Sequence, residues 1–198
     1  KLRVVQVEYA QDWLATKLEE SGQKQASWRT DPTKSGPAGA IGDIGSHAFN
    51  LAEFIANDEV EALAAEAHVF VEGRRLDDNA HMLLRFRGGA RGMLWCSQVA
   101  AGQENGLRIR LYGEKGGLEW QQENPNLLIH SPLGEPPRLI RRNGAGAYPV
   151  ANAASRIDSR NRSLRATSCA APMPASPASR RLRPRRRCRP PPRCARSA

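Results

Sequence analysis

Asp43 and His47 stand four residues apart in the stretch GDIGSHAFNLAEFI, and there the sequence first suggests chemistry. On a helix, side chains four residues apart share a face, about one turn from each other. At about 100° per residue, Asp43, His47 and Asn50 fall within about 60° of one another. Ile44, Ala48, Leu51 and Ile55 form an apolar stripe about 110° away. One face can therefore pack on a core while the next offers a carboxylate, an imidazole and an amide. A carboxylate beside a histidine can hold the ring's tautomer and raise its basicity, which suits a general base near neutral pH. The same pair fits a plainer arrangement, with Asp43 as a first-turn acid on the helix dipole and His47 as a half-buried packing residue. Trp28 and Arg29 open the Pro-, Ser- and Gly-rich loop before this helix. They read as core and surface, or as an Arg beside a carboxylate able to hold a polar or anionic ligand.

The elements that must position these residues follow from periodicity. Arg3 to Tyr9 alternates, with Val5, Val7 and Tyr9 against Gln6 and Glu8, as a half-buried strand does. Residues 10–27 form a polar excursion with a short helical stretch at Asp12–Glu20. The helix of Asp43 to Ala56 stops near Asn57 and Asp58. Strand patterns then repeat at Ala62–Val71, Ala80–Arg87, Arg91–Val99, Leu107–Tyr112, Gly117–Gln121, Asn126–His130 and Arg138–Arg141, with Gly88-Gly89 and GEKGG as turns. Short links favour antiparallel pairing. The pattern predicts an α+β domain over residues 1–150, a large and mostly antiparallel sheet with helices on one face. Arg85, Arg87, Arg108 and Arg110 fall on the sheet's other face, either solvated or bordering a subunit contact.

Charge divides the chain. Residues 1–155 carry 17 Lys and Arg against 19 Asp and Glu, whereas residues 156–198 carry 13 Arg and a single acid, Asp158. The overall charge of +10 thus belongs to the last segment. That segment, rich in Arg, Pro, Ala and Ser, has too little apolar surface to offset chain entropy, so disorder is expected over 151–198. Its composition also matches out-of-frame reading of a GC-rich gene. Arg-rich segments hold phosphate without sequence preference, but this one lacks aromatics for base stacking. No specific nucleic-acid role is expected. Cys96, in an apolar strand, reads as a buried reduced thiol. No C-x-x-C occurs, and His68, His81 and His130 show no ligand spacing with Asp43 and His47, so no metal is expected. No long apolar run or signal pattern is present, which places the chain in the cytoplasm and away from membranes. It opens at Lys1 inside a strand, as if something preceded it.

The segment WRTDPTKSGPAGAIGDIGSHAFNLAEF resembles the C-terminal domain of the Gfo/Idh/MocA family, NAD(P)-dependent oxidoreductases named for glucose–fructose oxidoreductase and inositol dehydrogenase. The matching features are Arg29, Asp31-Pro32, the run Gly36 to Gly42, and Asp43-Ile44-Gly45-Ser46-His47. RFRGGARGMLWCSQ and LRIRLYGEKGGLEW look like the family too. The resemblance implies a full-length enzyme whose N-terminal Rossmann domain binds NAD or NADP. The C-terminal domain would supply the substrate site and a homo-oligomer contact through the sheet face. It implies that His47 exchanges a proton with a substrate hydroxyl, that Asp43 orients it, and that Arg29, Trp28 and Asn50 position a sugar, cyclitol or related small molecule. No G-x-G-x-x-G follows a strand here, so no cofactor is expected to bind this chain alone. A fragment inactive without its nucleotide-binding partner is the expectation. An NAD-dependent glycosidase of the same fold and a non-catalytic oligomerisation or binding module are the alternatives.

Overall fold

A computed structural model describes residues 1–145 and 147. The expected end of the domain near residue 150 and the Arg-rich segment after it lie outside the described residues.

Eight strands form one sheet: β1 (Leu2–Ala10), β2 (Val60–His68), β3 (Asn79–Phe86), β4 (Arg91–Ser97), β5 (Gly106–Gly113), β6 (Gly116–Gln121), β7 (Leu127–Pro132) and β8 (Arg138–Arg141). Their order is β2-β3-β4-β1-β5-β6-β7-β8. Only β1 and β4 run parallel, with Val7 opposite Leu94; every other pair is antiparallel. The first strand therefore sits at the centre, and the chain leaves it for a helical crossover before returning to the sheet edge as β2. The meander expected from short links is present; the insertion of β1 between β4 and β5 has no local signal.

The crossover carries α1 (Lys24–Arg29), α2 (Pro32–Ser35) and α3 (Ser46–Ala56). Asp31 caps α2, taking the Thr33 N–H at 3.0 Å, with Pro32 at the first helical position. Hydrogen bonds from the Thr33 hydroxyl and then from Lys34 hold the Asp31 carboxyl down to about 2. Helix α3 ends on Asn57 in the left-handed conformation, φ 50°.

The core lies between α3 and the sheet. Ile44, Ala48 and Ala52 point into it and meet Val5, Val7, Leu94, Cys96, Ile109 and Leu111. Buried alanines let the helix lie close to the strands. The expected stripe of Ile44, Ala48, Leu51 and Ile55 is thus rotated: Ala52 replaces Leu51 at its centre, and Ile55 is 43% exposed. Phe86, Leu84 and Leu94 are the largest fully buried side chains.

Two expected elements differ. Asp12–Glu20 is not a helix; only the single turn Leu18–Ser21 forms. Tertiary partners take its backbone groups instead. The Gln11 and Leu14 N–H groups donate to the Ser97 and Gln98 carbonyls, and Arg74 donates to the Leu14 and Thr16 carbonyls. Strand β2 stops at His68 rather than Val71 because the Asp78 carboxylate takes the Phe70 and Val71 N–H groups. Among the described residues no helix is long and apolar enough to cross a membrane.

Candidate functional site

Asp43 lies not in the α-helix but in one wide turn, Ile41–Gly45, that feeds α3. Its closing bond runs from the Ser46 N–H to the Ile41 carbonyl, an i→i+5 step. Such turns are rare and cluster at functional sites. Two local features fix this one. Asp77 accepts the Gly39 and Ile41 N–H groups, each at 2.7 Å, and its own carbonyl takes the Ala40 N–H. Gly45 packs on the sheet so closely that a Cβ there would stand 3.0 Å from Cys96 Sγ.

The wide turn changes what Asp43 meets. Its Oδ2 accepts Arg29 Nε–H at 2.9 Å and Gln98 Nε2–H at 2.8 Å. No hydrogen bond joins it to His47 among the described residues. The carboxylate expected to orient His47 is held instead by Arg29 and Gln98, both on Oδ2. His47 is exposed, with its ring edge-on to Tyr9 at 6.4 Å between centres. Tyr9 is itself fixed through its hydroxyl to Asn105 Oδ1 at 2.7 Å. Asn50 is exposed on the next turn of α3. Trp28 is 46% exposed and stacks against the Arg29 guanidinium.

The structure thus brings Asp43, Arg29 and Trp28 into one cluster and leaves His47 and Asn50 beside it on α3. Sequence reasoning missed three contributors. Gln98 is buried, its backbone N–H on the Asp78 carbonyl and its side chain on Asp43. Trp13 brings a second ring to Arg29. Arg74, 3% exposed at its side chain, holds Glu19 through two bonds and approaches Asp78. Trp13 and Arg74 have no motif; Gln98 closes the family-like stretch RFRGGARGMLWCSQ, the one signal that could have found it. Cys96 lies beneath the site, its thiol pushed up to about 12 by burial first and by the Asp77 charge second. No group of three or more potential metal-binding side chains is gathered among the described residues.

The larger cavities lie elsewhere: about 720 Å³ against β5–β8 beside Ile55 and Trp120, and about 560 Å³ on the outer sheet face around Trp95. Beside the partners of Asp43 lies a void of about 10 Å³ between Arg29, Gly39, Asp77 and Gln98.

Comparison with known proteins supplies the remaining context. The model of the GFO/IDH/MocA C-terminal domain matches residues 1–119. The chain belongs to the Gfo/Idh/MocA family. It is 34% identical over 158 residues to the uncharacterized oxidoreductase YfiI of Bacillus subtilis, covering 79% of this chain and 40% of that protein. The crystal structure of an oxidoreductase from Sinorhizobium meliloti is 51% identical, with a TM-score of 0.67 over 79% of this chain and 39% of that one. An inositol dehydrogenase homolog from Azotobacter vinelandii, crystallised with NADH and myo-inositol, is 31% identical, with a TM-score of 0.70 over 79% of this chain and 39% of its own. The chain therefore spans about 40% of the length of these relatives. The expectations of an oxidoreductase family and of a mostly antiparallel α+β domain hold.

Proposed function

We propose that this chain is the substrate-binding part of an NAD(P)-dependent oxidoreductase that acts on a hydroxyl of a sugar, cyclitol or related small molecule. The observation that carries this reading is the pairing of an exposed His47, edge-on to a fixed Tyr9, with the Arg29–Asp43–Gln98 cluster one turn away. His47 accepts the hydroxyl proton at a ring nitrogen that no described residue occupies. Asp43 and Arg29 hold neighbouring hydroxyls, Trp28 and Asn50 border the substrate, and the open surface is one wall of a cleft. The described residues contain no glycine-rich strand-to-helix turn of the dinucleotide-binding kind. A relative crystallised with NADH and myo-inositol supports a sugar-like substrate. The reduced, buried Cys96 suits a cytoplasmic setting. The outer sheet face, with Leu83 64% and Met93 47% exposed, is the surface for a homo-oligomer.

The test joins the chain to the remaining part of the Azotobacter homolog, which was crystallised with NADH and myo-inositol, and follows NAD reduction with myo-inositol. His47→Ala is expected to lower kcat by about 10²–10⁴-fold, the usual range for a lost general base. A variant that turns over like the parent would remove His47 from the chemistry.

A further inference from the structure

Helix α3 covers only part of its side of the sheet. Cross-strand neighbours share a face, so Ile109 of β5 stands in one row with Trp120 of β6, Leu128 of β7 and Ile140 of β8. Ile109 is 3% exposed, whereas the three outer members of the row are only half-buried. The neighbouring row runs from the buried Leu111 to Leu118, 37% exposed, and on to His130. The flank of α3 beside these rows is bare as well, with Ile55 exposed. Together they bound the groove of about 720 Å³. The Trp120 indole is fixed in its floor, with its N–H on the Pro125 carbonyl at 3.1 Å.

Charge and reach limit what can cover this floor. Among the described residues, Lys1, Lys115, Arg141 and Arg142 line the groove against one carboxylate, Glu114. That carboxylate is already shared by the Lys1 amino group and Arg3. A positively charged segment is therefore repelled, and residues 156–198 carry 13 Arg. The eight residues before them differ: 148–155, YPVANAAS, are uncharged. They start at the groove itself, because Ala147 is part of its wall. Strands β5, β6, β7 and β8 are consecutive in the sheet, and strands lie about 4.8 Å apart, so the span from β8 to β5 is about 14 Å. At about 3.3 Å per extended residue, about five residues from Tyr148 onward cross it.

We propose that Tyr148, Pro149 and Val150 form a strap across the groove, laid on Trp120, Leu128 and Ile140 and reaching Ile55 of α3. The chemistry of each residue suits that place. Tyr148 brings a large apolar ring with a hydroxyl tip for the polar rim. Pro149 has no N–H to strip of water. Val150 adds aliphatic surface to the floor. The strap ties the far strands of the sheet to the helix that bears His47 and Asn50, and it does not depend on the dehydrogenase reading.

The experiment uses the full 198-residue chain with Tyr148→p-benzoylphenylalanine, a photoreactive ring, and maps the attachment points by peptide mass spectrometry. Attachment within the same chain to Ile55, Leu118–Trp120, Leu127–Leu128 or Ile140 is expected, with a yield independent of protein concentration. A second measurement adds the apolar dye anilinonaphthalene sulfonate to the chain carrying native Tyr148. Tyr148→Ser combined with Val150→Asp should uncover the floor and raise dye fluorescence about threefold without changing the circular dichroism spectrum. Ile157→Asp, beyond the strap, should leave it at the parent level. Attachment to a second copy, attachment outside the groove, or none at all overturns the proposal. So does a parent chain that takes up the dye as strongly as the double variant, since its groove would then be open to a separate partner.

Discussion

At the scale of single residues, the polar groups that matter are those whose partners come from far along the chain. Arg74 ties the excursion after β1 to the loop before β3. It holds Glu19 through two bonds, donates to the Leu14 and Thr16 carbonyls, and lies 3.7 Å from Asp78. The pair is nearly out of solvent, with side-chain exposures of 3% for Arg74 and 19% for Glu19. Arg74→Ala leaves buried acid uncompensated and is expected to cost about 3–5 kcal/mol in urea unfolding. The hydrogen bond from Arg74 also holds the Glu19 carboxyl below its ordinary value of 4.5. Its contribution is complete above that value and is lost as pH falls through the lower folded value. Thermal melts between pH 6 and pH 3 should show the parent losing stability in that acid window. Glu19→Gln should start lower and fall less steeply; equal slopes would remove Glu19 from the account.

At the scale of elements, the wide turn before α3 determines the site more than the helix does. Asp77 grips its entrance, and Gly39 makes that grip possible. A Cβ at Gly39 would stand 2.0 Å from the Asp77 carbonyl oxygen, a backbone atom with little freedom to yield. Gly39→Ala is expected to destabilise the chain by about 1–3 kcal/mol, the usual cost of forced overpacking. It should also release Asp43 from Arg29 and Gln98. The measurement is a denaturant midpoint together with myo-inositol turnover in the joined enzyme: loss of both fits, and an unchanged midpoint refutes the close approach. The twin shift of β2 and the excursion has the same origin. Side chains such as Asp78 and Arg74 claim backbone groups that local pattern assigns to strand or helix.

At the scale of the molecule, the two faces of the sheet have different fates. One is covered by α3 across β1, β4 and β5. The other is open, and at its centre Arg108 and Arg110 each bridge Glu8 and Glu119. Leu83, Met93 and Trp95 lie beside this charged patch on the same face. Pairing within the chain removes the repulsion that two copies of an unpaired basic patch would meet. Leu83→Asp is expected to convert an oligomer to monomer in sedimentation velocity without changing the circular dichroism spectrum. A parent chain that sediments as monomer at micromolar concentration would remove the face as a subunit contact.

The amino-acid sequence by itself determined the strands of the meander, the turn at Gly88-Gly89, the end of α3 near Asn57 and the burial of Cys96. These depend on local period, turn chemistry and hydropathy, which neighbouring residues specify. It also placed Arg29, Asp43 and His47 in one region through the motif. Tertiary structure alone decided that β1 lies between β4 and β5, that an i→i+5 turn precedes α3, and that Gln98 meets Asp43 and Trp13 meets Arg29. Asp43 takes its donors from residues 14 and 55 positions away. Those choices are made when separate segments compete for the same carboxylate oxygen, and no local pattern records which donor wins.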